Sequence, residues 1–168
     1  MRSNVCDRPV RLALAVAMLA LTACARGGSE LHGWSALQQG MELNSEVGAG
    51  PQGQTVLGLL YTVVPGQDYA IERRMPIEGL HGKPSLRLMA KATRVLHLAL
   101  VLVDDQGFEH ESARTLSPGN WRELHYDMFQ PPVDDWAQIV MVRLVDRTGG
   151  LGGQGPVSLK VVDLPLRE

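Results

Sequence analysis

Glu109-His110-Glu111 is the densest group of metal-ligand side chains in this 168-residue chain. Imidazole and carboxylate together suit zinc or a similar divalent ion. Around them, however, the residues alternate as a β-strand does. Alternation sends His110 to one face and both glutamates to the other. One ion cannot meet all three, and a solvated strand face is expected. Asp104-Asp105 and Asp134-Asp135 are adjacent carboxylate pairs. A glycosidase needs its two carboxylates across a cleft; neighbours in a turn serve turn chemistry. His32, His81, His97, His110 and His125 form no H-x-H or H-x-x-x-H pair, and no G-x-S-x-G elbow is present. Gly48-Ala49-Gly50-Pro51-Gln52-Gly53 and Gly150-Leu151-Gly152-Gly153-Gln154-Gly155 have dinucleotide-fingerprint spacing. Each leads into a strand-like run, so no helix N-terminus awaits a pyrophosphate. The residues therefore point to a non-catalytic protein.

The elements that position these groups are short strands. From Thr55 onward eight runs stand between turn signals: 55–63, 68–75, 84–92, 95–103, 108–115, 120–126, 137–145 and 157–164. Regular short strands with Gly/Pro punctuation predict an all-β fold, an antiparallel β-sandwich of about eight strands. Leu86, Leu88, Ala90 and Ala92 share one face against Ser85, Arg87, Met89 and Lys91. Leu96, Leu98, Leu100 and Leu102 line the inner face of the next strand. Its other face, His97, Ala99, Val101 and Val103, is largely apolar too, which predicts a central strand covered on both sides. Asp104 to Gly107 reads as a hairpin turn, with Gly107 supplying the positive φ. Ser29 to Gln39 reads as a short helix capped by Ser29. The Gly149–Gly155 run reads as a flexible loop.

On this pattern a ligand would meet the side chains opposite the leucine faces: Arg87, Lys91 and His97, with Arg143 from the late strand. Arginine offers a planar fork of donors that suits hydroxyls and carboxylates. Trp121, at a strand start, suits either stacking on a sugar ring or plugging the end of the sandwich. Trp34 and Trp136 fall outside the strand runs, where exposure is expected. The strand Ile139–Leu144 is apolar on both faces, either as a covered central strand or as a contact surface.

The N-terminus adds a compartment. Arg2, Arg8 and Arg11 precede an apolar run from Leu12 to Thr22, too short to span a bilayer and of signal-peptide length. It ends in Leu21-Thr22-Ala23-Cys24, which resembles the lipobox of bacterial lipoproteins. The resemblance implies cleavage before Cys24 and acylation of that cysteine, so that lipid chains anchor the protein. The expected organisation is 1–23 signal peptide, 24–37 lipidated N-terminus and tether, and 38–168 β-sandwich domain. Ala25, in place of an aspartate retention signal, implies the outer membrane, with the domain facing the periplasm. Without residues 1–23 the chain holds 13 Lys+Arg and 17 Asp+Glu, a net charge of −4. Nucleic-acid binding is not indicated. Cys6 leaves with the leader and Cys24 is acylated, so the domain has no disulfide, thiolate metal site or cysteine nucleophile.

A second resemblance covers about residues 40–166. Leu98-x-Leu100-Val101-Leu102-x-Asp104-x-x-Gly107-x-x-x-Glu111 is followed by Gly119-x-Trp121-x-x-Leu124, then Asp127-x-Phe129 and a closing Val161-Val162-Asp163-Leu164-Pro165-Leu166. This is similar to the galactose-binding-domain-like jelly rolls, which include many carbohydrate-binding modules. The resemblance implies a jelly roll that binds a glycan on a sheet face or at loop ends. No cofactor is expected other than a structural calcium near the first and last strands. Asp163 matches one acidic position of that site, Val162 replaces the other, and Glu42 is a further candidate ligand. The alternative expectation is an accessory or scaffold lipoprotein that binds a protein partner in the cell envelope.

Overall fold

A computed structural model describes residues 30–31, 33–77, 85–127 and 139–162. They form eleven strands: β1 (Glu30–Leu31), β2 (Trp34–Ala36), β3 (Glu42–Glu46), β4 (Val56–Val63), β5 (Tyr69–Ile77), β6 (Ser85–Ala92), β7 (Leu96–Asp104), β8 (Glu109–Leu116), β9 (Arg122–Asp127), β10 (Ile139–Asp146) and β11 (Gly155–Val162). All eight runs expected from the sequence are strands, and β1–β3 are additional. Two antiparallel sheets result. Sheet A has the order β1-β2-β5-β10-β7-β8, and sheet B has the order β3-β4-β11-β6-β9.

Glu30–Leu31 and Trp34–Ala36 are strands, not helix, which corrects the expectation of a helix over 29–39. Trp34 and Ala36 pair with Arg73 and Ile71 of β5, and both point into the core. A sheet edge supplies their backbone partners, and burial of the indole favours this arrangement over local helix propensity. Trp34 is thus buried rather than exposed, and sheet A takes in residues ahead of position 38. Trp136 lies outside the described residues.

The core lies between the sheets. Leu96, Leu98, Leu100 and Leu102 of β7 meet Leu88 and Ala90 of β6, Leu59 of β4, Leu159 of β11 and Tyr126 of β9 in one cluster. Alternation along β6, β7 and β11 places these side chains inward with no irregularity. A gap of about 10 Å³ remains beside Trp34, Ile71, Leu88, Leu100, Leu144 and Val161. Its apolar lining offers a water no partners, so it is a packing gap rather than a ligand pocket.

The connections sort to two ends. At one end the segments 37–41, 64–68, 93–95, 117–121 and 147–154 each carry the chain from one sheet to the other; we call this the crossover end. At the opposite, hairpin end lie 47–55 and 105–108, each joining neighbours within a sheet. The 105–108 turn forms as expected. Asp104 Oδ1 accepts hydrogen bonds from the Gln106 and Phe108 amides at 3.0 and 2.8 Å, and Gly107 adopts φ 86°.

Candidate functional site

The sandwich presents two outer faces, and the sequence-selected residues divide between them. Arg87 and Lys91 stand on β6 in sheet B; His97 and Arg143 stand on β7 and β10 in sheet A. The structure therefore does not gather the four into one site.

The outer face of sheet A is closed. Its floor is apolar: Ala70, Ala99, Val101 and Val145, joined by Leu37 and Val103. Two arginines lie over it. Arg143 reaches across β7 to Glu109 of β8 at 2.8 Å and sideways to Glu72 of β5 at 3.4 Å. Arg147 spans from Glu111 of β8 at 2.6 Å to Asp68 at 2.5 Å. Hydrogen bonds to Glu111 and then Asp68 push the Arg147 pKa further up, so its charge is fixed. Aliphatic arginine stems cover apolar floor while the heads stay with carboxylates. Val101 is consequently only 1% exposed although it faces outward. The two glutamates of Glu109-His110-Glu111 serve this cover instead of standing free in solvent. His110 points the other way, as the alternation requires, and its Nε2 lies 3.2 Å from Asp104 Oδ2. His97 Nδ1 lies 3.3 Å from Thr115 Oγ1. Arg143, 24% exposed, already has its fork engaged.

The Ile139–Leu144 strand is central: β10 runs between β5 and β7 in the middle of sheet A, with Ile139, Val142 and Leu144 buried and Val140 and Met141 half-buried.

Sheet B is open. Arg87 is 68% exposed, with Glu123 of β9 at 3.4 Å and His125 beyond it. Exposed pairs of this kind hold weakly and exchange readily. Lys91 faces Lys160 of β11 across the ladder. Lys160 turns away to Glu46 of β3 at 2.5 Å, which relieves the like-charge pairing and leaves Lys91 directed outward. Met89, Ser158, Thr62 and the exposed Leu60 share this face by register. It is a shallow polar surface with amine, guanidinium and hydroxyl donors and some apolar area, able to hydrogen-bond an extended hydroxylated chain. Sequence reasoning missed Glu46, Glu123, His125 and Lys160. The alternation Val157/Leu159/Val161 against Ser158/Lys160 was the signal that assigns Lys160 to this face.

Trp121 lies half-buried just before β9 at the crossover end. Asp146 is buried nearby. Tyr61 Oη donates to its Oδ2 at 2.9 Å, the Thr148 amide donates to Oδ1 at 2.9 Å, and the Thr148 hydroxyl donates to Oδ1 as well. Burial and then the Asp146 charge push the Tyr61 pKa up, which keeps its proton in place to donate. This carboxylate is satisfied and sealed, which marks a structural role.

Of the two calcium candidates only Glu42 is among the described residues. Glu42 is exposed on β3, and the register sets it level with Leu60 and Ser158. Glu46 lies level with Val162; Asp163 and Cys24 lie outside the described residues. Among the described residues no group of three metal-ligating side chains converges.

No family model matches the chain, and no curated protein matches it. Solved structures do. The agarase AgWH50C superposes with a TM-score of 0.58 at 11% identity, over 81% of this chain and 22% of its own. An exo-beta-agarase gives 0.59 at 10% identity, over 80% and 23%. This chain thus spans less than a quarter of either agarase. The family 11 carbohydrate-binding module from Clostridium thermocellum, solved in complex with a β-1,3-1,4-mixed-linked tetrasaccharide, gives 0.53 at 11% identity, over 80% of this chain and 91% of the module. The fold is that of the carbohydrate-binding-module jelly rolls.

Proposed function

We propose that this chain is a non-catalytic lipoprotein of the cell envelope, anchored through Cys24 in the outer membrane and facing the periplasm, whose jelly roll binds a glycan. The observation that carries the reading is the contrast between the faces. On a fold shared with a glycan-binding module, sheet A is roofed by ion pairs while sheet B presents Arg87 and Lys91 outward. Arg87 and Lys91 supply the donors, and Ser158 and Thr62 add hydroxyls. Arg143 and His97 belong to the sheet A architecture.

Affinity electrophoresis against envelope and plant polysaccharides tests the glycan reading. Lys91→Ala should weaken retention roughly tenfold, the equivalent of one charge-assisted hydrogen bond. Equal retention of Lys91→Ala, Arg87→Ala and wild type on every retaining glycan would remove sheet B as the site. Replacing Cys24 by Ser and following mass and membrane pelleting tests the anchor, and a variant with unchanged mass that still pellets would sink it.

A further inference from the structure

We propose that the crossover end of the sandwich rests on the lipid bilayer, with Val64, Val95 and Leu151 inserted at its interface and Trp121 at the headgroup level. The inference rests on the lipid-anchor reading of Cys24. Three observations carry it.

The first is where the chain enters. Glu30 pairs with Ser35, and β2 runs toward the crossover end, so the N-terminal end of β1 points to that end. Ser35 is level with Glu72, three residues from the start of β5 at Tyr69, or about 10 Å. Residues 24–29 reach at most about 20 Å when extended. A lipid on Cys24 therefore holds this end of the domain within contact range of the bilayer.

The second is what that end exposes. Val64, Val95 and Leu151 are 48%, 47% and 67% exposed and come from three separate crossovers. These crossovers are tied together: the Gly66 amide donates to the Gly149 carbonyl at 2.7 Å, and Arg94 donates to the Gln154 carbonyl. The 147–154 segment is itself a built turn, not the flexible loop that its composition suggested. Leu151 N, Gly152 N and Gly153 N bond back to Arg147, Gly149 and Thr148. A Cβ at Gly149 would collide with the Gln67 and Val64 carbonyls. The apolar tips are thus held in fixed relative positions on a rigid base. Trp121, half-buried in the neighbouring 117–121 crossover, has the amphipathic ring that favours a membrane interface.

The third is charge. Among the five crossovers Asp68 is the one carboxylate outside the core, and Arg147 neutralises it. Arg94 leaves the end slightly basic, which suits anionic headgroups. With this end down, both sheet faces stand upright and sheet B stays open to a periplasmic glycan.

The absence of other cysteines in the chain after Cys24 makes the test site-specific. Acylated full-length protein carrying Val95→Cys or Leu151→Cys is labelled with an environment-sensitive fluorophore and reconstituted into phosphatidylethanolamine–phosphatidylglycerol vesicles. Val47→Cys and Phe108→Cys report on the hairpin end. The labels at 95 and 151 should shift to the blue and be quenched by lipids brominated in the upper acyl chain, severalfold more than those at 47 and 108. Adding Leu151→Asp should return the label at 95 toward its aqueous emission. An acylated, vesicle-bound protein with all four labels equally aqueous, or with the hairpin-end labels buried instead, overturns the orientation alone. A chain whose mass shows no acyl group at Cys24 overturns the anchor reading and this one with it.

Discussion

The two outer faces of this sandwich are built from the same strand alternation and end in opposite states. On sheet A the outward face of the central strands is a floor of Ala99, Val101 and Val145 from which Arg143 rises, and carboxylates stand on the strands around it: Glu72 on β5, and Glu109 and Glu111 on β8. Arginines from β10 and the turn after it reach those carboxylates and lie over what is between. On sheet B the central strands β6 and β11 carry outward cations: Arg87 meets Glu123 on the neighbouring β9, Lys160 reaches across β4 to Glu46 of β3, and Lys91 stands exposed between them. An arginine held by two carboxylates lies down over the apolar floor of sheet A and closes it. On sheet B the cations Arg87 and Lys91 stand exposed, and the face stays open. The difference also reassigns arginine: Arg143 is cover, and Arg87 is a donor with room to move.

The sharpest way to break the comparison is to place one charge on each face. Ala99→Asp would put a carboxylate into the buried floor, between Val145 of β10 and Ala113 of β8. It should destabilise the domain by about 3–5 kcal/mol, the usual penalty for an uncompensated buried charge. Lys91→Asp on sheet B should change stability by less than about 0.5 kcal/mol. Urea unfolding midpoints decide it, and equal effects would mean that sheet A is as open as sheet B. Leu100→Ala, one residue from Ala99 and facing the core, should cost about 2–5 kcal/mol through transfer and cavity terms. Arg143→Ala comes next. It frees Glu72 and Glu109 and bares Val103 and Val101, for about 1–2 kcal/mol once solvent screening of the half-exposed pairs is allowed for. Arg87→Ala should be close to neutral in the same assay. A neutral Arg143→Ala would show that the apolar floor needs no roof.

Which parts were legible in the sequence follows from the range of the forces involved. The eight strands after Thr55 and the inward leucines of β6 and β7 are period-2 patterns, and local alternation reports them directly. The turn at Asp104–Gly107 is equally local, since one carboxylate caps two amides within four residues. β2 was not legible, because Trp34–Ala36 becomes a strand through pairing with β5, about 37 residues away in sequence. The double apolarity of β7 correctly foretold cover on both sides. What supplies the cover was hidden, because Arg143 and Glu109 are 34 residues apart and meet only across an intervening strand. The candidate ligand set divides between the two sheets for the same reason. Outward orientation could be read along each strand separately, but the sheet to which each strand belongs could not.

The smallest expected effect is a pH dependence at the far end of β7. Asp104 is inward-facing and buried. Burial opposes its charge, but hydrogen bonds from the Phe108 amide, the His110 side chain and the Gln106 amide outweigh that and hold its pKa below the ordinary carboxylate value. A carboxyl whose folded pKa is depressed binds its proton more readily in the unfolded chain. Its stabilisation is therefore complete above the unfolded value, about 3.9, and is lost as the pH falls through the lower folded value. Asp104→Asn keeps an oxygen acceptor for the two amides but removes the charge that His110 faces. The variant should lose less stability than wild type between about pH 5 and pH 2, while the two curves run parallel above about pH 5. Urea midpoints taken across that range separate the outcomes. Superimposable acid limbs for Asp104→Asn and wild type would show that the turn at the end of β7 is held by its amide hydrogen bonds alone, with no contribution from the charge.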